Sequence, residues 1–354
     1  MKERKTTVIL DSSHHAMRLM SICRKQDTAE EGYQLWKYMF LNGIFRYIEE
    51  FNADEFIVAL DASGNWRRTV FPFYKGHRKI LRQQDQDKEE ASDGWFNFGE
   101  YYQVYNDFLE DIKKNLPLKI VQVHYAEADD IAGVLCHSKE LEDNHKILVT
   151  TDKDYIQLLE TPHTALYNPI KKTYVNCSNP KRELLKKVLM GDKGDYVPSI
   201  RDKHAFKPEF LEWCVKEGLA DNETHVKVKL ESDDNVLLEW ELNFQATYGI
   251  KASRVSIFSE KLANGVLDND GLQDLLEDED IKKKFLRNNK LVNLSAQPQG
   301  LKDEILKTYI ATETVGLENM FEFFISHGFN QFLDDTTRLT TVLKALTGVE
   351  KVRS

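Results

Sequence analysis

Apolar residues follow two rhythms along this chain. Short runs rich in β-formers occur at "TTVILD" (Thr6 to Asp11), "EFIVALD" (Glu55 to Asp61), "KIVQVH" (Lys119 to His124) and "KILVTTD" (Lys146 to Asp152). Between them lie helical periodicities. The stretch from Ala29 to Phe51 places Leu35, Met39, Ile44 and Ile48 on an amphipathic helix, and "GEYYQVYNDFLEDIKKNL" and "EADDIAGVLCHSKEL" read likewise. Strand and helix patterns in alternation predict an α/β fold, a mostly parallel central sheet with flanking helices. Past Pro180 the pattern becomes helical, from "PKRELLKKVLMG" to "TTRLTTVLKALTG". The expected organisation is therefore an α/β domain over 1–180 and a largely helical domain over 181–354.

The length of 354 residues agrees with two domains. A chain that is 41% hydrophobic and 30% charged is globular and has enough apolar material for a sizeable core. No apolar run approaches the roughly 18 uncharged residues of a membrane helix, and the charged start enters a strand directly, without a signal-peptide pattern. The four cysteines never form a C-x-x-C pair, which argues against structural zinc and for a reducing cytoplasm. A formal charge of −10 counts against a polyanionic partner unless the acids are committed elsewhere. The acidic patch Asp268 to Asp280 reads as a solvated helix face.

Three of the four strand patterns run into an aspartate: Asp11, Asp61 and Asp152. In an open α/β sheet, ligands sit beyond the carboxyl ends of the strands, so these three are expected on one edge. Each by itself is ordinary turn or cap chemistry; the recurrence is the signal. "YAEADDIAGVL" adds Glu127, Asp129 and Asp130 at a helix start, "TTDKDY" adds Asp154, and "GDKGDYVPSI" adds Asp192 and Asp195. Carboxylates this close need a counter-charge in a confined cleft. Mg2+ favours such oxygen ligands, and a cluster of this size suits two ions about 3.5 to 4 Å apart. Against this acidity, "WRRTVFPFYKGHRKILR" (Trp66 to Arg82) carries six Lys or Arg and no acid, interleaved with aromatics.

Taken in order, "VILDSSH", "ALDASGNWRR", "YKGHR", "YAEADDIAG", "TTDKDYIQLL" and "LMGDKGDYVPSI" span Val8 to Ile200. The set resembles the 5′ nuclease or flap endonuclease family, most closely its tailed-phage RNase H (5′-3′ exonuclease) branch. The resemblance implies a two-metal phosphodiesterase using Mg2+, with Mn2+ as a substitute. Asp11, Asp61, Glu127, Asp129 and Asp130 match the family's first group of metal-site acids, and Asp152, Asp154, Asp192 and Asp195 the second. Lys75 and Arg78 match the basic pair that contacts the scissile phosphate, Arg67 a further phosphate-contacting arginine, and Tyr74 a stacking position. Physically, Lys75 and Arg78 would offset charge growing on the phosphate. Tyr74, Phe73 and Phe71 would offer faces for an unpaired base, worth about 1 to 3 kcal/mol per base. The bland reading of this stretch is a solvated basic helix flanking core aromatics.

Residues of about 74–99 correspond to the family's arch, a polar segment whose order is expected to depend on DNA. Arg68, Lys79 and Arg82 join the candidate nucleic-acid contacts. A divergent helix-hairpin-type element is expected over about 185–217. It lacks the family's glycine-x-glycine-lysine continuation, which shifts duplex grip to backbone amides and to Lys187, Arg201 and Lys203. The implied activity is a 5′-3′ exonuclease and flap endonuclease with RNase H-like primer removal in lagging-strand replication and repair. The implied partners are DNA and RNA-DNA duplexes with 5′ ends or flaps, with single-strand binding protein and sliding clamp as candidate protein partners. A monomer in the cytoplasm of a phage-infected bacterium, away from membranes, completes the expectation. Rival readings explain less. A topoisomerase-primase D-x-D leaves "EADD" with "GDKGD" unexplained, a dehalogenase-type phosphatase wants an acid where Ser13 stands, and a PIN-type RNase lacks the long basic segment. His14 and His15, beside Asp11, are placed where they could touch the cleft, but the favoured reading of both is structural.

Overall fold

The computed structural model describes residues 4–347 apart from 204–205, 233, 250, 252–254, 257–258 and 269–270. The chain forms two compact units. One comprises Met1–Asn65, Gly94–Pro180 and Gln297–Ser354; the other comprises Trp66–Asp93 and Lys181–Ala296. This corrects the expected division into 1–180 and 181–354. Phe323, Phe324, Phe329, Phe332, Leu339 and Leu343 of the final helices are buried in one cluster with Trp36, Phe40 and Phe45, so apolar burial returns the end of the chain to the first unit.

The first unit is built on a six-stranded sheet: β1 (Thr6–Asp11), β2 (Glu55–Leu60), β3 (Lys119–Gln122), β4 (His145–Val149), β5 (Thr164–Asn168) and β6 (Thr173–Val175). Its order is β3-β2-β1-β4-β5-β6, with every pairing parallel except β5 with β6. β1, β2 and β4 are buried along nearly their whole length, as parallel strands covered on both faces must be. The helices Ser12–Cys23, Ala29–Glu50, Phe98–Asn115 and Ala128–His137 supply that cover. Strand order reverses between β1, whose other neighbour is β2, and β4, with Leu10 beside Val149. That reversal opens a crevice at the carboxyl edge, where open α/β sheets bind ligands. At the amino edge a cavity of about 600 Å³ is lined by residues including His145, Lys146 and His163. It contains none of the expected site acids.

The second unit is helical, from Pro180–Met190 and Pro208–Lys216 through Asp234–Tyr248 to Glu279–Val292. One of its cores gathers Phe71, Tyr74, Val188, Val197, Leu238, Leu291 and Val292. The arch segment contains a helix, His77–Ala91, in which only His77 is buried. Its surface carries one-turn pairs, Gln83 to Asp87 at 2.8 Å and Gln86 to Glu90 at 3.3 Å. Gly191 turns the chain after Pro180–Met190 at φ 71°, where a Cβ would lie 2.4 Å from the Val197 carbonyl oxygen. No helix among the described residues is long and apolar enough to cross a membrane.

Candidate active site

The carboxyl edge of β1, β2 and β4 collects the acids one strand at a time. Asp11 is the last residue of β1 and caps the following helix, accepting the His14 amide at 3.2 Å; its other oxygen accepts the Thr150 hydroxyl at 3.1 Å. It is 5% exposed. Burial, with Asp61 and Asp152 nearby, pushes its pKa up to about 6, against the lowering effect of His14. Asp61 follows β2 directly and accepts the Ala128 amide at 2.8 Å, which ties the end of β2 to the start of the Ala128–His137 helix. Asp152 lies beyond β4, caps the 3-10 segment Lys153–Glu160 by accepting the Asp154 amide at 2.9 Å, and faces His14 Nε2 at 3.7 Å.

Two groups of ligand atoms result, each with all members within 4.8 Å of one another: Asp11, His14 and Asp152, and Glu127, Asp129 and Asp130. Asp130 is fully buried and accepts the Glu127 amide at 3.0 Å in a capping box, so it also holds the helix start that presents Glu127 and Asp129. The donor set is almost entirely carboxylate oxygen, and a divalent cation beside Asp11 would offset the repulsion from Asp61 and Asp152. The residues present fit hard divalent ions.

His14 corrects an expectation. Its Nδ1 is 3.2 Å from the Thr151 hydroxyl and its Nε2 faces Asp152, so it belongs to the acid edge rather than to the core. His15 is the structural one: it is buried against Phe40 and Tyr47, and desolvation with the Arg18 cation lowers its pKa to about 4. Thr150 and Tyr155 escaped the sequence reading, although both flank the aspartates in "TTDKDY". Tyr155 is fully buried at the acid edge, one residue past Asp154.

The remaining candidates lie in the second unit. Asp195 is a hub there: its carboxylate accepts the Tyr74 hydroxyl at 2.7 Å and Arg78 at 2.7 Å, faces Lys75 Nζ at 3.7 Å, and its carbonyl accepts the Lys75 amide at 2.8 Å. Burial by itself would raise the Asp195 pKa, but Lys75, Arg78, Tyr74 and Lys187 together hold it below the ordinary carboxylate value. Lys75 occupies the left-handed region at φ 55°, a costly conformation for a lysine, held by that amide contact and by the turn around Gly76. Asp192 pairs with Lys187 at 2.5 Å and accepts the amides of Gly194 and Asp195 at 2.6 and 3.2 Å.

Two expectations for this unit are corrected. Tyr74 is 1% exposed and its ring is core, so it offers no face to a base; its role is to anchor Asp195. Arg67 is also 1% exposed, donates to the Leu291 carbonyl at 2.8 Å and lies against the rings of Trp66 and Tyr74, which places it in the packing rather than on a phosphate. Phe71 is core as well, under the Arg287 guanidinium. Arg68 is exposed and donates to the Tyr74 carbonyl at 3.2 Å, Lys79 and Arg82 are exposed on the arch helix, and Arg201 is exposed. The side chain of Lys203 lies outside the described residues.

An open, mostly parallel sheet that gathers carboxylates around its switch point defines a class: α/β proteins able to hold divalent cations beyond their strand ends. The family model described as 5′-3′ exonuclease, N-terminal resolvase-like domain, matches residues 6–187, and the chain belongs to that family. It is 27% identical over 184 residues to ribonuclease H of Enterobacteria phage T4, a stretch covering 49% of this chain and 57% of that protein. It is 25% identical over 208 residues to a 5′-3′ exonuclease of Buchnera aphidicola subsp. Schizaphis graminum, covering 56% of this chain and 66% of the relative. The matches thus span less than two thirds of either relative's length. Among solved structures, the T5 D15 protein co-crystallised with metal ions superposes with a TM-score of 0.56 at 16% identity, over 86% of this chain and 98% of that one. A T5 D15 flap endonuclease complex with DNA and metal ions gives the same figures. At such identity the likeness concerns the fold.

Proposed function

We propose that this chain is a divalent-metal-dependent phosphodiesterase that works from 5′ ends: a 5′-3′ exonuclease with flap endonuclease activity on duplex DNA and RNA-DNA ends. Its place would be primer removal in lagging-strand replication and repair. The observation that supports the reading is the grouping of Asp11, His14 and Asp152 at one sheet edge, with Asp61 from the end of β2 tied to the helix start that carries a second group, Glu127, Asp129 and Asp130. The T4 relative is a ribonuclease H, and the T5 neighbour is a flap endonuclease solved with DNA and metal ions.

Two divalent cations, Mg2+ or Mn2+, would supply an activated water nucleophile and neutralise charge on the departing oxygen. Asp11, Asp61, Glu127, Asp129 and Asp152 would hold them, with Asp130 fixing the Glu127 backbone. Asp154, Asp192 and Asp195 are assigned to orienting solvent around the ions, the role of outer carboxylates. Lys75 and Arg78 would balance negative charge on the phosphate during in-line attack, Arg78 by forking onto two oxygens and Lys75 as a point charge. The exposed Arg68, Lys79, Arg82 and Arg201 would track the backbone of the nucleic acid. The protein would act as a monomer, meeting single-strand binding protein or a sliding clamp at the replication fork in the cytoplasm of an infected cell.

A 5′-labelled flap duplex and a matched RNA-DNA hybrid, each incubated with Mg2+ and then with EDTA, test this. The expected result is release of short 5′ products in Mg2+ and none in EDTA. Binding of the flap with no cutting under either condition would instead identify a noncatalytic reader of DNA structure.

A further inference from the structure

Tyr155 is 0% exposed, and its hydroxyl is a buried polar atom with no hydrogen-bond partner among the described residues. It stands one position beyond Asp154, in the 3-10 segment that packs between β5 and the Ala128–His137 helix. Its electrostatic surroundings are the carboxylates of Asp11, Asp129, Asp152 and Asp61. A phenol spent purely on filling the core would be better replaced by a phenyl ring, because a buried donor left unpaired is costly. A donor among four acceptor-only carboxylates has an evident use: a water shared with them.

We propose that Tyr155 is a positioning residue that donates its hydroxyl proton to a water held among Asp11, Asp61, Asp129 and Asp152, and so orients the oxygen set that receives the divalent ion. This rests on the proposed metal-dependent function. Neighbouring donors of this kind set ligand orientation, and their loss typically weakens metal affinity by about 10-fold to 100-fold.

The test is Tyr155→Phe, measured by Mn2+ titration calorimetry and by thermal unfolding in EDTA. The expected result pairs a loss with a level reading: Mn2+ affinity falls about tenfold, while the metal-free melting temperature stays level because the hydroxyl bonds to no protein group among the described residues. Unchanged Mn2+ affinity overturns the proposal. So does a lower melting temperature in EDTA, which would show that the hydroxyl had served the fold. If the unsubstituted protein binds no Mn2+, the metal-dependent reading falls and this inference with it, whereas equal binding by both proteins sinks only the inference. A crystal structure of the unsubstituted, Mn2+-loaded protein gives a check that needs no variant. An ordered water about 2.8 Å from Tyr155 Oη and shared with a carboxylate is expected; a dry hydroxyl, or one bonded directly to protein, contradicts it.

Discussion

Replacing Asp11 with asparagine is expected to make the metal-free protein more stable and the enzyme nearly inert. In the folded chain the Asp11 carboxyl sits near pKa 6 rather than 3.8, so its ionised form is disfavoured by on the order of 3 kcal/mol relative to the unfolded chain. Asparagine removes that charge yet keeps one oxygen for the His14 amide, at the cost of the carboxylate acceptor of the Thr150 hydroxyl. A gain of about 1 to 2 kcal/mol in EDTA at pH 7 is expected. The pH dependence has a definite sign. A carboxyl with a raised folded pKa binds more protons folded than unfolded between 3.8 and about 6, so its destabilising effect is full above 6 and fades as pH falls through that window. Urea unfolding in EDTA should therefore show the difference between the two proteins shrinking from pH 7 towards pH 4. Cleavage in Mg2+ should drop on the order of a thousandfold, about 4 kcal/mol of transition-state stabilisation. A variant that is less stable in EDTA and still cuts would contradict both halves.

Lys75→Met is the second large effect. Methionine keeps most of the stem volume and removes the charge, exchanging the ammonium 5.0 Å from the Tyr74 ring centroid for a thioether that can still lie against the ring. Loss of one charge-stabilising group at a phosphate is expected to lower kcat by about 10² to 10³-fold with a smaller change in KM. Asp195 keeps Arg78 and the Tyr74 hydroxyl, so the stability cost should stay at about 1 to 3 kcal/mol. Single-turnover cleavage of the flap substrate, beside a denaturant titration, separates the two. A fall in stability with kcat unchanged would confine Lys75 to bracing Asp195.

The parts of the fold that were legible in the residues are those where one physical signal dominates. "VIL", "IVAL" and "ILV" are strands buried on both faces, and their apolar runs say so. β5 and β6 escaped because "TALYN" and "TYV" lie towards the sheet margin with several positions half-buried or exposed, which leaves little pattern. Asp11, Asp61 and Asp152 could be placed on one edge because strand ends in a parallel sheet share a direction. The aromatics of "VFPFYKGHRK" could not be placed, since a basic run interleaved with rings reads alike whether the rings face solvent or core. Phe71 and Tyr74 went inward with Val188 and Leu291, residues more than a hundred positions away, which no local pattern reveals. The return of Phe323 to Phe332 to the first core is hidden for the same reason. His14 was misjudged because its role depends on Thr151 and Asp152 arriving from another strand.

Anomalous diffraction from crystals of the full chain soaked in Mn2+ tests the central claim most directly. Manganese peaks within coordination distance of Asp11 and Asp152, and of Glu127 and Asp129, are what the account predicts. An acid edge without a manganese peak, in a protein that nonetheless cuts flaps, would contradict it.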